Sequence, residues 1–487
     1  MKSLKEILAE VAVKDADSIK DVQVSGIEFD SRKIQKGNVF VAVQGTQVDG
    51  HEYIFPAILK GATVIVGEVK PEVFPPEIVW VGVEDSAWAL AQLGSAFYGH
   101  PSRHLKLVGV TGTNGKTTTV TLLHQLFTGL GQKAGLLSTI ENKIGDEVFE
   151  STHTTPDSVT INRLLSEMVA AGCVVAFMEV SSHAIDQHRI GGLHFAGGVF
   201  TNLTREHLDY HGTMLDYLNV KKKFFDFLPK GSFALANIDD KNGRVMMQNT
   251  KADKHTLALK KMADFSAKIQ SNSLDGLHLE INGYEVYARL IGGFNAYNLL
   301  TAFGVAVLLG ESEEEILVVL SGLPGAPGRF EKIADPTSRR MGIIDYAHTP
   351  DALEKVLDTI NELKEQNARL YTVVGCGGDR DRTKRPIMGG MAAAKSGQAI
   401  FTADNPRSEE PEDIIKEMWA GVAKEDRHKV LDIVDRKSAI RTACRLAGQS
   451  GIILVAGKGH EKYQIVNGKK LPFDDKAELL NEFLIQN

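Results

Sequence analysis

Short apolar runs alternate along the chain with segments of helical periodicity. Buried strands are predicted where such a run is rich in β-branched or aromatic residues: 38–43, 62–66, 105–110, 173–180, 195–200, 341–346, 370–375, 399–402 and 451–456. Helical spacing is found in 1–15, 85–98, 117–127, 212–228 and 295–309, and Asn282-Gly283 predicts a hairpin turn. Strands that alternate with helices favour an α/β fold built on parallel sheets.

Two turn-rich segments divide this pattern. His100-Pro101-Ser102 follows a predicted helix, and the segment 322–328 contains three glycines and two prolines. Since 487 residues are too many for one core, we expect three domains, with boundaries 1–99, 100–331 and 332–487. Each of the three is expected to be α/β.

Composition excludes several classes of protein. Hydrophobic residues make up 43% and charged residues 24%, and the net charge of −7 provides no global basic field for nucleic acid or membrane. The three cysteines show no paired spacing, which argues against disulfides and zinc. No apolar run approaches a membrane span. Residues 1–15 are predicted to form a surface helix and not a signal peptide. We therefore expect a cytoplasmic protein.

A glycine-rich turn joins the strand 105–110 to the next helix. Gly109, Gly112 and Gly115 allow a tight turn, Lys116 would reach terminal phosphates, and Thr117 would offer a hydroxyl to Mg²⁺. Backbone N–H groups and the helix N-terminus would face the phosphates. This is the pattern of a phosphate-binding loop.

The match to the common pattern is not strict. That pattern places a glycine five residues before Gly115, where this chain has Val110. The alternative is a glycine-rich turn from strand to helix that binds nothing.

Further polar residues follow the central strands. Glu179 ends a buried strand and is expected to hold Mg²⁺, the alternative being an acid that faces solvent. His207 and His211, with Asp209 between them, suggest metal or phosphate chemistry, or a histidine cluster that caps a helix. Lys221–Lys223 has the character of a solvated helix face, although a neutral lysine amine can also add CO₂ and become a carbamate that ligates Mg²⁺.

Asn295 and Asn298 open the apolar helix 295–309. Their amides could pair with a purine edge, or Asn295 could simply cap the helix. In the last predicted domain, polar motifs follow four successive strands: Asp345–Pro350, Gly375–Pro386, Asp404–Arg407 and Gly457–Glu461. Ligands bind beyond the carboxyl ends of parallel strands, so these motifs predict a ligand site.

Taken in order, the motifs resemble those of the Mur ligases of bacterial cell-wall synthesis, over essentially the whole chain. The motifs are Gly112–Thr118, Glu179–His183, His207–His211, Asn295–Asn298, Gly328–Glu331 and Asp345–His348. Asp30–Arg32 and Gly45–Gly50 are similar to the uridine-nucleotide site of the members that add the third residue. Those members use ATP to join an amino acid to UDP-N-acetylmuramoyl-L-alanyl-D-glutamate. The resemblance implies a small N-terminal α/β UDP-binding domain, a central P-loop ATPase-like domain with a mostly parallel sheet, and a C-terminal Rossmann-like domain that binds the amino acid.

The resemblance also implies residue roles. ATP is expected at Gly112, Thr113, Asn114, Gly115, Lys116, Thr117, Thr118, Asn295, Arg329 and Asp345. The UDP-linked substrate is expected at Ser31, Thr46, Gln47, Val48, Thr154, Thr155, Ser181, Gln187 and Arg189. The expected catalytic residues are Lys116, Glu179, His207 and Lys221. Lys221 matches the family's carbamylated lysine, and the expected Mg²⁺ ligands are Thr117, Glu179 and Lys221. The adjacent Lys222 and Lys223 leave that register open.

The choice of amino acid is expected to depend on Arg407. The family has meso-diaminopimelate and L-lysine versions, which differ by one carboxylate at the end of the side chain, and an arginine fork matches a carboxylate. The expected diaminopimelate-binding residues are Arg380, Asp404, Asn405, Pro406, Arg407, Gly457 and Glu461, with Glu461 and the Gly457 carbonyl taking the distal ammonium.

The predicted function is an ATP-dependent diaminopimelate ligase. It would act on small molecules alone, as a monomer, and without nucleic acid or membrane insertion. The alternatives are an L-lysine-adding ligase, a folylpolyglutamate synthetase, which lacks the uridine domain, and a non-catalytic nucleotide-binding sensor.

Overall fold

The computed structural model describes residues 1–14, 19–45, 48–151 and 153–485. Contacts within the chain define two units. The first comprises Met1–Lys268, Ile281–Tyr284 and Tyr297–Ser321, and the second comprises Ile269–Glu280, Glu285–Ala296 and Gly322–Asn487. Parallel strands alternate with helices in both units, so the predicted α/β fold class is confirmed. The three domain boundaries stay a prediction.

The N-terminal stretch of the first unit forms a five-stranded sheet. Its elements are β1 (Lys2–Ser3), α1 (Leu4–Leu8), β2 (Val13–Lys14), β3 (Gln23–Val24), β4 (Gly26–Glu28), β5 (Asn38–Val41), α2 (Ile54–Leu59), β6 (Val64–Gly67), β7 (Val79–Val83) and α3 (Ser86–Phe97). The order is β2-β7-β6-β5-β4, and only β2 runs antiparallel to its neighbour. Alternate residues of β5 face opposite sides: Val39 joins the core with α1 and α3, and Phe40 the core with α2.

The predicted helix over residues 1–15 is wrong in extent. Helix α1 covers only Leu4–Leu8, because Lys2–Ser3 pairs with Gln23–Val24 and Val13–Lys14 pairs with Gly82–Val83. The apolar spacing reflects burial, since Leu4, Ile7 and Leu8 lie in the core.

The largest sheet follows in the chain. Its elements are β8 (Lys106–Thr111), α4 (Lys116–Gly129), β9 (Ala134–Leu137), β10 (Glu141–Ile144), β11 (Glu147–Glu150), α5 (Ser158–Ala170), β12 (Val175–Glu179), α6 (Ser182–Asp186), β13 (Gly197–Phe200), α7 (Leu208–His211), α8 (Met214–Asp226), β14 (Phe233–Asn237), α9 (Gly243–Met246), β15 (Asp253–Ala258), β16 (Phe265–Ser273), β17 (Gly276–Ile281), β18 (Tyr284–Ala288), α10 (Gly293–Leu308) and α11 (Glu313–Gly322). The order is β11-β10-β9-β12-β8-β13-β14-β15-β16-β17-β18. The neighbours in the run β9-β12-β8-β13-β14-β15-β16 pair in parallel, whereas β10 pairs antiparallel with β9 and β11. The predicted turn at Asn282-Gly283 joins β17 to β18 and is confirmed.

Gly109 lies inside β8, whereas the sequence predicted it in the turn. A side chain there would collide with the ring of Phe224, since its Cβ would lie 2.7 Å from that ring. A Cβ added to Gly198, on the neighbouring strand β13, would lie 3.0 Å from the same ring. These two glycines therefore allow α8 to pack closely against the sheet. Lys221 lies on the same face of α8 as Phe224, one turn earlier in the chain.

The second unit contains a six-stranded sheet. Its remaining elements are β19 (Glu331–Ala334), β20 (Met341–Asp345), α12 (Pro350–Leu363), β21 (Leu370–Val374), α13 (Lys384–Lys395), β22 (Gln398–Phe401), α14 (Pro411–Trp419), β23 (Val430–Asp432), α15 (Arg436–Ala447), β24 (Ile452–Ala456), β25 (Tyr463–Val466), β26 (Lys469–Pro472) and α16 (Asp475–Ile485). The order is β19-β20-β24-β21-β22-β23, with only β19 antiparallel. The loops after β24, β21 and β22 therefore lie side by side at one edge. None of the helices in the described part of the chain combines the length and apolar character needed to cross a bilayer.

A buried ion pair supports that edge. The Arg436 guanidinium donates to both carboxylate oxygens of Asp475 at 2.7 Å, and it also donates to the carbonyl of Ala456 at the end of β24. Both side chains are fully buried. Removing one partner of such a pair leaves an uncompensated buried charge.

We expect Asp475→Ala to lower the free energy of unfolding of the second unit by about 3–5 kcal/mol. The free energy is measured by urea unfolding, which is monitored with a spectroscopic probe placed in that unit. Lys437→Ala is the matched control, because Lys437 and Glu478 join the same two helices at 3.1 Å on the surface, and such pairs contribute less than about 1 kcal/mol. Equal losses in the two variants would contradict this role for the buried pair.

Candidate active site

The loop between β8 and α4 has the geometry of a phosphate-binding loop. Gly112 and Gly115 have φ angles of 145° and 88°, which favour glycine. A Cβ on Gly115 would lie 2.8 Å from the side-chain oxygen of Asn298. Lys116 folds back and donates to the carbonyls of Gly112 and Thr113 at 2.9 Å. Helix α4 begins directly after this loop, at Lys116, and the first-turn N–H groups of a helix favour an anion.

The mismatch at Val110 has a structural reason. Val110 is buried within β8, where it pairs with Glu179 on one side and Val199 on the other. The turn begins only after Thr111, so the position that usually carries a glycine still belongs to the strand here.

Residues after β13 hold the loop in shape. Thr201 donates its hydroxyl to the carbonyl of Asn114 at 2.7 Å. The backbone carbonyl of Asn202 accepts from the N–H of Thr113 at 2.8 Å, and its side-chain oxygen accepts from the N–H of Asn114 at 3.0 Å. The loop is therefore fixed before any ligand arrives.

A second layer supports these two residues. Asn237, at the end of β14, donates to the carbonyl of Thr201 at 3.0 Å, and Asp240 accepts from the N–H of Leu203 at 2.8 Å. The segment that follows β13 is thus hydrogen-bonded to the end of β14 and to the residues after it.

Lys221 is the buried member of the lysine triplet. Its ammonium donates to the carbonyl of Gly112 at 3.0 Å and lies 4.7 Å from the ring centre of Tyr217. Burial, reinforced by the nearby charge of Lys116, moves the pKa of Lys221 well below its ordinary value. Lys222 instead pairs with Asp226 at 2.7 Å, and Lys223 is exposed. Of the three, Lys221 is the one placed to be a neutral amine beside the loop.

Glu179 is buried at the end of β12. One carboxylate oxygen accepts from the N–H of Thr139 at 2.7 Å, while the other, Oε2, is buried and has no hydrogen-bond partner. An orphaned carboxylate oxygen fits a cation ligand. Among the described residues there is no cluster of three histidine, cysteine or acidic side chains that could hold a metal, so a site here would depend on Thr117 and on a carbamate at Lys221.

His207 belongs to a group of rings beside this region. It adopts a φ of 57°, and its ring lies 5.0 Å from that of His183. His183 also contacts Tyr210 and His211 at 4.3 and 5.7 Å, and His211 lies 2.9 Å from the hydroxyl of Ser182. The cluster therefore connects α6 to α7. A catalytic role for His207 stays a prediction.

A cavity of about 910 Å³ lies in the first unit, beside Ser31 and Val48. It is lined by Phe29, Asp30, Ser31, Arg32, Phe40, Val43, Gln44, Gly45, Val48, Gly50, Tyr53, Ala87, Leu90, His153, Asp157, Ser158, Asp186, Gln187, His188, Arg189 and Tyr210. Four of the predicted substrate residues, Ser31, Val48, Gln187 and Arg189, therefore share one cavity. Thr46 and Gln47 lie outside the described residues.

Hydrogen bonds organise one wall of this cavity. Arg189 donates to Gln187 at 2.6 Å and to the carbonyl of Thr155 at 2.9 Å. The hydroxyl of Thr155 accepts from the N–H of Ser181 at 3.1 Å and donates to the carbonyl of Glu179 at 2.8 Å. Of the predicted substrate residues, Thr154, Thr155 and Ser181 do not line the cavity themselves. The hydroxyl of Thr154 accepts from Thr139 at 3.2 Å. The bonds of Thr155 connect Arg189 on the cavity wall to the backbone of Glu179 at the end of β12.

The Asp30–Arg32 pair also lines the cavity. Arg32 donates to both carboxylate oxygens of Asp30 at 2.9 Å and lowers the pKa of that carboxyl to about 2. Asp30 therefore stays ionised and holds the turn next to Ser31, which is buried.

Six of the seven predicted amino-acid-binding residues form hydrogen bonds or close contacts within the second unit. Arg407 donates to the carbonyl of Gly378 at 2.6 Å, and Asn405 donates to Glu461 at 2.8 Å. Gly457 has a φ of 116°, and a side chain there would collide with Asp404. Pro406 is buried with its carbonyl against Gly378, whereas Arg380 is exposed.

The remaining predicted ATP residues also belong to the second unit. Asp345 accepts from the N–H of Phe330 at 2.7 Å, and burial raises the pKa of its carboxyl to about 6. The Arg329 guanidinium lies 4.6 Å from the ring centre of Tyr346. Asn295 is buried and donates to the carbonyl of Ile291 at 2.8 Å, which secures the start of α10. Their contact with ATP stays a prediction.

Three family models match the sequence in chain order. They are described as the Mur ligase family, catalytic domain, over residues 23–98; the Mur ligase middle domain, over 110–306; and the Mur ligase, glutamate ligase domain, over 328–459. The chain is also 54% identical over 482 residues to the UDP-N-acetylmuramoyl-L-alanyl-D-glutamate--2,6-diaminopimelate ligase of Cytophaga hutchinsonii, with 99% of each chain covered. The chain belongs to the Mur ligase family.

Two further relatives agree with this assignment. A ligase of the same name from Bacteroides fragilis is 52% identical to this Mur ligase, with 98% of each chain covered. A solved structure of a UDP-N-acetylmuramoyl-L-alanyl-D-glutamate--2,6-diaminopimelate ligase is 31% identical, with a TM-score of 0.71 and coverage of 100% of this chain and 99% of that one. The similarity therefore extends over all the motifs described above.

Sequence reasoning missed several supporting residues of this Mur ligase. Asn298 was considered only as a purine partner, yet it lies against Gly115. Tyr210 lines the cavity and donates to Asp186 at 2.9 Å. Asn237 and Asp240 form the second layer behind the loop. An acidic or amide residue directly after each central strand was the available signal.

We expect Gly115→Ala to raise the KM for ATP at least about tenfold, because left-handed strain and the collision with Asn298 both distort the loop. Gly131→Ala is the control: its φ is 80°, but a Cβ added there would meet no atom within 4 Å, and it follows the other end of α4. Steady-state kinetics of both variants provide the measurement. An unchanged KM in Gly115→Ala, or the same rise in Gly131→Ala, would contradict the loop assignment.

Proposed function

We infer that this chain is an ATP-dependent ligase that joins meso-2,6-diaminopimelate to the D-glutamate γ-carboxylate of UDP-N-acetylmuramoyl-L-alanyl-D-glutamate. The observation that carries this conclusion is the identity above 50%, over almost the full length, with ligases of that name. The phosphate-binding loop after β8 would hold the phosphates of ATP, and the arginine-bearing loops of the second unit would hold the carboxylate of the amino acid. The product belongs to peptidoglycan synthesis.

The reaction must make a carboxylate electrophilic. An oxygen of the γ-carboxylate attacks the γ-phosphorus of ATP, the bond to the bridging oxygen breaks, and ADP leaves. The acyl phosphate formed is attacked by the amine nitrogen of the amino acid, which then gives up a proton. The tetrahedral intermediate collapses, and phosphate leaves with one oxygen of the former carboxylate.

The residues of the loop serve the phosphoryl step. We propose that Lys116 exchanges its contacts with Gly112 and Thr113 for phosphate oxygens, and that the N–H groups at the start of α4 take part of the developing charge. Mg²⁺, when bound, would supply further positive charge, and Thr117, Glu179 and Lys221 are the residues that would hold it. Because three substrates would bind in three regions of the chain, we also propose that the domains close around the substrates before the chemistry begins.

Lys221 would contribute as a carbamate. Its neutral amine attacks the carbon of CO₂, an N–C bond forms, and one proton is released, so a buried base becomes a buried anion. The lowered pKa and the position beside Gly112 support this proposal.

We further propose that the protein works as a monomer in the cytoplasm, which supplies ATP and nucleotide-linked precursors. Its three cysteines are buried free thiols, as is usual in a reducing compartment.

The test of the function is a ligation assay. Purified protein, ATP, Mg²⁺ and the UDP-linked dipeptide are mixed with meso-diaminopimelate or L-lysine, and both ADP and the lengthened peptide are measured. Turnover should be much faster with diaminopimelate. Equal or better turnover with lysine would refute the amino-acid assignment, and ATP hydrolysis without a lengthened peptide would refute the ligase.

We expect Lys221→Ala to reduce kcat by roughly 100-fold or more, because the anionic ligand that would hold Mg²⁺ beside the phosphate loop is lost. High bicarbonate should not restore activity, whereas a small carboxylic acid that refills the position should restore part of it. Lys223→Ala, on the exposed side of the same helix, should be as active as the wild type. Full activity of Lys221→Ala would exclude the carbamate.

We expect Arg407→Ala to weaken binding of diaminopimelate by about 2–5 kcal/mol, the cost of breaking a charged hydrogen-bonded pair. The apparent affinity for the amino acid is measured at saturating ATP. Arg441→Ala is the control, since its side chain is about half exposed and lies on α15. An unchanged affinity in Arg407→Ala would remove this residue from the site.

A further inference from the structure

A lysine lies buried among the loops that are proposed to bind the amino acid. Strand β24 ends at Ala456, Gly457 turns the chain with a φ of 116°, and the side chain of Lys458 that follows is fully buried. Burying an ammonium is costly unless it is paired and hydrogen-bonded. The burial of the Lys458 ammonium therefore requires partners within the protein, since water cannot solvate it there.

The Lys458 ammonium joins two of the predicted binding residues. It donates to Glu461 Oε2 at 2.9 Å and to Asn405 Oδ1 at 3.1 Å. Asn405 in turn donates through Nδ2 to the same Glu461 oxygen at 2.8 Å, while its own oxygen also accepts from the N–H of Ile465 at 3.0 Å. This network fixes which way the Asn405 amide faces and engages one specific oxygen of Glu461.

The ammonium also sets the charge of these loops. The charge of Lys458 balances that of Glu461, and the charges of Arg436 and Asp475 balance each other at the end of β24. Arg407 therefore remains as positive charge beside Gly378, whereas Asp404 contributes negative charge near Gly457. Without Lys458, Glu461 would be an unpaired, partly buried carboxylate that attracts any cation.

The two rival amino acids respond differently to that charge. The far end of meso-diaminopimelate carries an ammonium and a carboxylate and is neutral overall. The far end of L-lysine carries an ammonium alone. A cation already paired with Glu461 therefore opposes lysine, while the zwitterionic end can still use Arg407.

We propose that Lys458 is a positioning residue that fixes Asn405 and Glu461 and thereby selects against L-lysine in favour of meso-diaminopimelate. This inference rests on the proposed function, because it concerns the amino-acid selectivity of that reaction. Lys458 acts through its two partners and not by direct contact with the reacting atoms.

The test compares kcat/KM for the two amino acids in Lys458→Met and Lys458→Gln. Methionine removes both the charge and the hydrogen bonds, whereas glutamine keeps a donor and removes only the charge. We expect the selectivity for diaminopimelate over lysine to fall about tenfold or more in both variants, as expected for loss of one buried charge partner. The KM for diaminopimelate should rise less in Lys458→Gln than in Lys458→Met, and the KM for ATP should stay within about twofold of the wild type.

Lys470→Met is the matched control. Its ammonium lies 4.0 Å from the ring centre of Tyr463, and that of Lys458 lies 5.5 Å from the same ring centre, but the Lys470 residue is exposed. This variant should keep the wild-type selectivity.

The outcomes separate the two claims. If the wild type does not ligate diaminopimelate, the proposed function fails. If the wild type does so and both Lys458 variants keep its selectivity, the positioning role fails while the function stands. Loss of ATP use in both variants would also overturn the proposal, because Lys458 would then serve only the fold.

Discussion

Thr201 and Asn202 hold the loop between β8 and α4 by four hydrogen bonds of 2.7–3.1 Å to Thr113 and Asn114. A glycine-rich loop loses a large conformational entropy when it becomes ordered. These contacts supply that order in advance, because β13 is the parallel neighbour of β8 and its end necessarily lies beside the loop. Catalysis by electrostatic preorganisation requires such a fixed arrangement of N–H groups. The roles proposed for Lys116 at the phosphates and for Lys221 and Glu179 at Mg²⁺ all require that the loop keep this shape.

The same constraint operates in the second unit. There β24, β21 and β22 are neighbours, so Glu461, Gly378 and Asn405 meet at one edge although the chain separates them widely. Buried cations hold this edge: Arg436 ties the end of β24 to α16, and Lys458 ties two loops to each other. Each cation is paired, as burial requires. Both sites therefore consist of loops that are shaped by polar contacts with one another rather than by a ligand.

Periodicity predicted most of the elements, because short β-branched strands between helices leave few alternative folds. It failed for residues 1–15, where the pairing partners of two short strands, Gln23–Val24 and Gly82–Val83, lie elsewhere in the chain. The motifs also predicted where polar residues cluster, after β8 and after β21, β22 and β24, while the chemical roles of these residues stay predictions. Residues that act by supporting a motif were not predictable in the same way, since the contact of Asn298 with Gly115 depends on packing across the sheet. The choice among Lys221, Lys222 and Lys223 was partly predictable from the sequence. An apolar stripe with the 3.6-residue period is formed by Tyr217, Val220, Phe224 and Phe225. That stripe includes Lys221 but not Lys223.

Transfer of a carboxylate oxygen to phosphate tests the central claim most directly, because only activation through an acyl phosphate moves that oxygen. The UDP-linked dipeptide is labelled with ¹⁸O in the D-glutamate γ-carboxylate, and the phosphate released during ligation of diaminopimelate is analysed by mass spectrometry. The mechanism predicts one ¹⁸O atom in the phosphate for every amide bond formed from fully labelled substrate. Phosphate without label, released in step with the lengthened peptide, would contradict it.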